Sequence, residues 1–192
     1  MKTKPLLIFD FFGVVVGEVA HTWLKQHLSQ EHAKRIIKEV FVQVDEGKLN
    51  ETDLFALLEK ESGIAADKIM DDWFDLGVLN KDTVQFILNN RNKFHIVLLS
   101  NAVKSYIDKY FALYNLAPLF DKVYISSEIK MAKPNKAIFL HVVNDFPHPF
   151  SKAVMIDDSL NNVSAAKQAG LEGILFENMK KVETEIFALF DF

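Results

Sequence analysis

Four short apolar runs constrain the fold of this chain more than any other feature of its sequence. They are rich in Val, Ile, Leu and Phe, as expected of strands buried on both faces, and span Leu6–Phe9, His95–Leu99, Lys122–Ile125 and Ala153–Ile156. Gly173–Phe176 is a weaker fifth run. Helical patterns lie between the later runs, over residues 104–114, 135–144 and 161–170. This alternation predicts an α/β fold built on a doubly wound, Rossmann-like parallel sheet.

The interval between the first two runs is much longer than a single strand–helix–strand crossover requires. The pattern within it predicts a long amphipathic helix over residues 23–44, a helix over 51–62 capped by Asn50, and a third over 66–74 after a break at Gly63. We therefore expect a small helical cap domain over residues 17–81. It is inserted into a core formed by residues 1–16 and 82–192, with hinges near 15–18 and 77–82.

Composition and charge exclude several classes of function. The 192 residues are 49% hydrophobic, enough for a sizeable core, and the net charge of −4 gives no basic field to hold a nucleic acid. The absence of cysteine excludes disulfides, thiolate nucleophiles and cysteine-ligated metals. Asp10 interrupts the apolar stretch Leu6–Val16, which argues against a secretory signal. We expect a soluble, cytoplasmic protein with neither nucleic acid nor membrane as its partner.

Polar residues follow the strand-like runs. In open parallel sheets, ligands bind beyond the carboxyl ends of the strands, so these residues are expected to share one crevice. They are Asp10 after the first run, Ser100 and Asn101 after the second, Asp157 and Asp158 after the fourth, and Lys133, which precedes Pro134 in a loop. Three carboxylates, a hydroxyl, an amide and an ammonium are suited to hold a divalent cation and a phosphate. The plainer alternative is that several of them cap helices.

Four motifs in the same order resemble those of the haloacid-dehalogenase-like hydrolases. LLIFDFFGVVV is similar to the nucleophile motif of that family, IVLLSNA to its second motif, KMAKPNKAIF to its lysine motif and AVMIDDSLNNVSAAKQAG to its acidic metal motif. The resemblance covers nearly the whole chain. The helical insert after the first motif resembles the subclass with a small α-helical cap.

The resemblance implies a nucleophile and a metal site. Asp10 is expected to attack phosphorus, to form an aspartyl-phosphate, and to ligate Mg²⁺. The backbone carbonyl of Phe12, together with Asp157 and Asp158, would complete the metal site, while Asn162 would orient the metal ligands from a second layer.

The resemblance also implies a phosphate site. Ser100, the backbone of Asn101 and the catalytic Lys133 would hold the oxygens of the transferred phosphoryl group. The function it implies is Mg²⁺-dependent hydrolysis of a small phosphorylated metabolite, by a monomer or a homodimer.

Phe12 departs from the family pattern. Phosphatases of the family usually carry a second aspartate at this position, and such a positioned acid or base contributes about 10²- to 10⁴-fold to the rate. The departure leaves two alternatives to a phosphatase. One is a non-catalytic member that binds a phosphometabolite or a protein partner. The other is a metal-free haloacid dehalogenase, although three clustered carboxylates suit a metal site better.

Residues of the insert and of the C-terminus complete the expectations. Substrate specificity is expected to depend on Glu18, His21, Trp23 and Asp45, although helix packing is the alternative for His21 and Trp23. Apolar stripes at helical spacing predict a cap core of Phe41, Phe55, Trp73 and Phe74. The segment Phe187–Phe192 either docks on the core or forms an oligomer contact.

Overall fold

The central element is a five-stranded parallel sheet. A computed structural model describes residues 3–190 of the chain. The strands are β1 (Leu6–Phe9), β2 (His95–Ser100), β3 (Lys122–Ile125), β4 (Ala153–Asp157) and β5 (Glu172–Leu175), in the order β3-β2-β1-β4-β5. All neighbours pair in parallel, which confirms the predicted doubly wound α/β sheet. The predicted strands agree with these bounds to within one residue.

The core lies on both faces of the sheet because side chains alternate along each strand. In β1, Leu7 and Phe9 join the larger hydrophobic cluster, whereas Leu6 and Ile8 join the smaller one on the opposite face. All four side chains are fully buried. A central strand buried on both faces has no polar side, which explains the continuous apolar runs in the sequence.

Helices cover both faces of the sheet and form the insert between β1 and β2. The α-helices are α1 (Ala20–His27), α2 (Gln30–Ile36), α3 (Val42–Asp45), α4 (Glu51–Ser62), α5 (Ala66–Leu76), α6 (Lys81–Asn90), α7 (Lys104–Tyr114), α8 (Ser126–Ile129), α9 (Lys136–Asp145), α10 (Leu160–Gln168) and α11 (Met179–Phe190). A π-helical segment, Ile37–Phe41, joins α2 to α3. Among residues 3–190, no helix is both long and apolar enough to cross a bilayer.

The prediction of one long helix over residues 23–44 is wrong. The helix breaks after His27, where Leu28 adopts an extended conformation. The hydroxyl of Ser29 then accepts a hydrogen bond from the His32 amide and starts α2 as an N-cap. The amphipathic pattern continues across the break, so periodicity alone does not reveal it. The structure also contains α6, which the sequence analysis did not predict.

The insert leaves and re-enters the core through two adjacent segments. The Gly17 amide donates to the Val78 carbonyl at 2.8 Å, and the Asn80 amide donates to the Val15 carbonyl at 2.9 Å. An isolated antiparallel bridge joins Val16 to Leu79. These contacts lie where hinges were predicted. The division into a cap of residues 17–81 and a core of the rest stays a prediction.

The aromatic C-terminal segment lies mostly within α11. Phe187, Leu189 and Phe190 pack against the larger hydrophobic cluster, so this part of the segment docks on the core. Phe192 lies outside the described residues.

Candidate active site

The candidate active site lies at the carboxyl ends of the three central strands. Asp10 directly follows β1, while Ser100 and Asp157 are the last residues of β2 and β4. Phe9 of β1 is in register with Leu98 of β2 and with Ile156 of β4. The parallel register therefore brings the three polar residues to the same edge of the sheet.

A buried ion-pair cluster forms the floor of this site. Lys133 reaches it from the loop between α8 and α9, with only 4% of its surface exposed. Its Nζ lies 2.7 Å from Oδ1 of Asp10 and 2.7 Å from Oδ2 of Asp157. A buried ammonium is costly unless it is paired, so both carboxylates hold the lysine in place.

The side chain of Asn101 fixes the backbone of Lys133. Its Oδ1 accepts from the Lys133 amide at 2.8 Å, and its Nδ2 donates to the Lys133 carbonyl at 2.8 Å. The sequence predicted that Asn101 contributes to ligand binding, and did not predict this contact with the lysine loop. The side-chain amide of Asn101 also anchors the loop that carries Lys133, because it pairs with both the backbone N–H and the backbone carbonyl of Lys133.

Three carboxylates lie close enough to share one cation. Asp10, Asp157 and Asp158 each offer an oxygen within 4.8 Å of the others. When all three are ionised, three negative charges face the one positive charge of Lys133, which leaves two negative charges uncompensated. A hard divalent cation with oxygen ligands fits this arrangement. Asp157 is oriented by Asn162, whose Nδ2 lies 3.0 Å from its Oδ1, and by the Ser159 amide at 2.9 Å.

The loop after β1 must approach Asp158 closely. Gly13 has a φ of +80°, and a Cβ added there would lie 2.2 Å from Oδ2 of Asp158. Glycine at this position therefore lets the loop after β1 approach Asp158.

Burial and neighbouring charges shift the ionisation of the cluster. Burial, followed by the charge of Asp157, raises the pKa of Asp10 well above its ordinary value. Burial also opposes the ionisation of Asp157, but the charge and hydrogen bond of Lys133 outweigh it and lower its pKa. Burial likewise opposes the charge of Lys133, and the two carboxylates outweigh that effect and raise its pKa. A cation beside Asp10 would favour its ionised, nucleophilic form.

Ser100 occupies an unusual position for a polar residue. It is fully buried, and its hydroxyl has no hydrogen-bond partner within the described part of the chain. It is not among the residues that line the cavity described below. Leaving a buried hydroxyl without a hydrogen-bond partner costs about 1 to 3 kcal/mol.

Phe12 belongs to an aromatic cluster beside Asp10. The centroid of its ring lies 5.0 Å from that of Phe11, 6.1 Å from that of Tyr106 and 5.8 Å from that of Tyr110. The position at which the family resemblance predicts a second aspartate is thus filled by a packed hydrocarbon ring. The structure places no carboxylate at that position.

A cavity of 380 Å³ lies between the ion-pair cluster and the inserted helices. At its polar end it is lined by Asp10, Asn101, Lys133, Asp158, Ser159 and Asn162. On the insert side, Glu18, His21 and Asp45 reach it, as expected of specificity residues. Trp23 does not. It is buried within the insert, and its Nε1 donates to Asp72 at 3.2 Å.

Two polar contacts organise the insert side of the cavity. His21 Nδ1 lies 2.9 Å from Oε1 of Glu18, and this hydrogen bond raises the pKa of His21. Asn101 Nδ2 donates to Oδ2 of Asp45 at 3.3 Å. Burial raises the pKa of Asp45 to about 7.

The aromatic residues of the insert pack in a hydrophobic core, as predicted, but three of them also line the cavity. Phe41, Phe55 and Trp73 belong to the larger hydrophobic cluster and also line the cavity, whereas Phe74 packs only in the cluster. Tyr106, in the first turn of α7, lines the cavity as well and was missed. Its position shortly after the second motif was the available signal.

This fold and this constellation of residues define a family. The chain belongs to the haloacid dehalogenase-like hydrolases, whose family model matches residues 5–170. It is therefore a hydrolase of that family.

Individual relatives share the fold at low sequence identity. A D-ribitol-5-phosphate phosphatase of Bacteroides thetaiotaomicron is 25% identical over an alignment of 196 positions, which covers 90% of this chain and 91% of that protein. A drimenol cyclase of Aspergillus calidoustus is 25% identical over 159 residues, 79% of this chain, but the match spans only 30% of that protein. A family enzyme of B. thetaiotaomicron, solved with magnesium and inorganic phosphate, has a TM-score of 0.71 at 24% identity, over 90% of this chain and 93% of that one.

Proposed function

We propose that this hydrolase is a Mg²⁺-dependent phosphatase of a small phosphorylated metabolite. The observation that carries the proposal is the cluster of Asp10, Asp157 and Asp158 around the buried ammonium of Lys133. It joins a carboxylate nucleophile, a cation site and a fixed positive charge within one small volume. These are the parts that phosphoryl transfer requires.

The relatives support this proposal. A D-ribitol-5-phosphate phosphatase matches over nearly its full length, and a structural relative was solved with magnesium and inorganic phosphate. Both facts concern other proteins. They favour a phosphate ester as the substrate here and Mg²⁺ as the cation.

In the proposed reaction, a carboxylate oxygen of Asp10 attacks phosphorus. The bond between phosphorus and the ester oxygen breaks, the alkoxide or phenoxide leaves with the bonding electron pair and takes a proton from water, and an aspartyl-phosphate remains. Water then cleaves this mixed anhydride, which releases inorganic phosphate and regenerates the Asp10 carboxylate. Lys133 neutralises charge on the phosphoryl oxygens and, through its contact with Asp10, orients the nucleophile.

The residues that would hold Mg²⁺ are Asp10, Asp157, Asp158 and the backbone carbonyl of Phe12. The ion would supply charge neutralisation for the transferred phosphoryl group. Asn162 would keep Asp157 in place through the hydrogen bonds described above. The hydroxyl of Ser100 and the backbone of Asn101 would bind phosphoryl oxygens, and this role would give the Ser100 hydroxyl its missing partner.

The inserted helices would serve as a cap domain over residues 17–81, resting on a core of residues 1–16 and 82–192. The cavity between them has Asp10 and Lys133 at one end and residues of the insert at the other. Exclusion of water there would strengthen every electrostatic contact to the phosphoryl group.

A panel of phosphate esters, including D-ribitol 5-phosphate, tests the proposal with Mg²⁺ and with EDTA. We expect turnover only with the metal, and we expect Asp10→Asn, nearly isosteric but not nucleophilic, to abolish it while the protein stays folded. Full activity of Asp10→Asn would remove Asp10 from the mechanism.

Phe12 favours testing a second candidate, a non-catalytic protein that binds a phosphometabolite. Phosphate binding that depends on Mg²⁺, with no turnover of any ester, would identify that function. Activity on 2-haloacids that persists in EDTA would instead identify a metal-free dehalogenase.

A further inference from the structure

A continuous aromatic surface lines the cavity from the nucleophile loop to the inserted helices. We call it the aromatic wall, and its rings are those of Phe12, Tyr106, Trp73, Phe55 and Phe41. Phe12 stacks with Tyr106 at 6.1 Å between centroids, Tyr106 meets Trp73 at 5.5 Å, and Trp73 meets Phe55 at 5.1 Å and Phe41 at 6.4 Å. The wall begins two residues after Asp10, so it borders the place where a leaving group must lie.

The charged groups of the cavity are unevenly distributed. Lys133 lies at the catalytic end, paired with two carboxylates. On the insert side the charged groups are acidic, apart from His21, which Glu18 already engages at 2.9 Å. Glu51 is likewise engaged by Lys109 at 2.6 Å and by Ser105 at 2.7 Å. With these pairs in place, the described residues that line this end of the cavity offer no unpaired cation to a second anionic group on the substrate and few free polar partners to a polyol.

The volume of the cavity indicates how large a substrate body it can cover. A cavity of 380 Å³ has space for about thirteen water-sized groups, at about 30 Å³ each. A phosphate ester group occupies about five of these, which leaves room for about eight carbon atoms.

We propose that the substrate is the phosphate monoester of an apolar alcohol or phenol, whose hydrocarbon body of up to about eight carbons lies against the aromatic wall. This inference rests on the proposed phosphatase function and names its substrate class. Burial of hydrocarbon against the wall supplies the affinity, while the ion-pair cluster holds the phosphoryl group. Phenols suit the site for two reasons. They stack on aromatic rings, and they leave without strong acid catalysis.

Binding of alkylphosphonates tests this substrate class without requiring turnover, because their carbon–phosphorus bond is not hydrolysed. Dissociation constants are measured calorimetrically with Mg²⁺ for the straight-chain series from ethyl- to octylphosphonate and for a polyhydroxylated phosphonate of five carbons. We expect the Kd to fall about fourfold for each added methylene. The hydroxylated ligand should bind at least tenfold more weakly than pentylphosphonate.

A matched pair of variants locates the effect. Phe41→Ser alters a half-buried ring of the wall, and Phe150→Ser alters a half-buried ring that packs on the smaller cluster at the opposite face of the sheet. We expect octylphosphonate to bind at least tenfold more weakly to Phe41→Ser and no more than twofold more weakly to Phe150→Ser.

The failures of the two proposals are distinguishable. If ethylphosphonate binds with Mg²⁺ but the affinity does not change with chain length, or the hydroxylated ligand binds more tightly, the apolar substrate class is wrong and the phosphatase proposal stands. If no phosphonate binds even with Mg²⁺, the phosphate site itself is wrong, and both proposals fall.

Discussion

In the proposed mechanism, Phe12 is the residue expected to have the largest effect on how the leaving group departs. A hydrocarbon ring cannot donate a proton, so negative charge must develop on the leaving oxygen. We expect aryl and acyl phosphates to be cleaved much faster than alkyl phosphates, with a steep dependence of kcat/KM on the pKa of the leaving group.

Phe12→Asp should flatten this dependence and accelerate cleavage of alkyl phosphates by about 10²- to 10⁴-fold. Phe12→Asn is the matched control, since it removes the same ring contacts but supplies no acid. If the wild-type enzyme cleaves alkyl and aryl esters equally fast while chemistry limits the rate, another group supplies the proton.

The ionisation of Asp45 makes the charge of the cavity and the stability of the fold depend on pH. Burial raises its pKa to about 7, against about 3.9 in an unfolded chain, so the folded protein binds this proton more tightly. The resulting stability is present below about pH 4 and is lost as the pH rises through about 7. Lys133, His21 and Glu46 are the charged groups that act on it.

Asp45→Asn cannot ionise and should therefore become more stable relative to the wild type as the pH rises from 5 to 8. We expect a relative gain of about 1 to 2 kcal/mol, because water reaches part of the carboxyl and screens it. Chemical denaturation of both proteins across this range measures the difference. A difference that stays constant with pH would show that Asp45 keeps an ordinary pKa.

At the scale of elements, the loop after β1 depends on Gly13. A side chain there would clash with Asp158 and would also force a left-handed conformation on a non-glycine residue. We expect Gly13→Ala to destabilise the fold by about 2 kcal/mol or more and to displace Asp158.

Gly170→Ala is the matched control for this clash. Its φ is +92°, but an added Cβ would meet no described atom within 4 Å. We therefore expect Gly170→Ala to cost only the penalty of the left-handed conformation, about 1 kcal/mol. Thermal melts and Mg²⁺ titrations of both variants measure the two effects, and equal losses in both would exclude a role for the contact with Asp158.

The strands were predictable from the sequence, whereas the helix boundaries of the insert were not. A central parallel strand such as β1 is apolar at every position, and this signal is local. The break at Ser29 depends on a single N-cap, which the continuing amphipathic pattern obscures.

Within the candidate site, too, some features were predictable from the sequence and others were not. Asp10 and Asp157 were predictable because the ends of parallel strands meet at one edge of the sheet. The position of Trp73 was not, because a residue that lines an apolar cavity has the same helical spacing as one that fills a core. The anchoring of Lys133 by Asn101 spans 32 residues of sequence and leaves no local pattern.

At the scale of the whole molecule, binding of Mg²⁺ should stabilise the folded state. At a free concentration 100 times Kd the gain is about 2.7 kcal/mol, which corresponds to a rise in Tm of about 5 to 10 °C for a chain of this length. Asp158→Ala should lose this response.

Asp108→Ala serves as the control, since it removes the same charge from an exposed pair with Lys104. It should keep the full response to Mg²⁺. A wild-type Tm that does not change with millimolar Mg²⁺ would argue against a metal site.

The two adjacent connections between insert and core, where Gly17 meets Val78, have an evolutionary consequence. An insertion whose ends lie side by side adds little loop-closure entropy to the pairing of β1 with β2, whatever its length. The sheet and its catalytic edge can therefore persist while the helices above them are exchanged for others. Such an arrangement lets a lineage acquire new substrates by replacing one contiguous stretch of gene, and the hydrolytic chemistry is inherited unchanged.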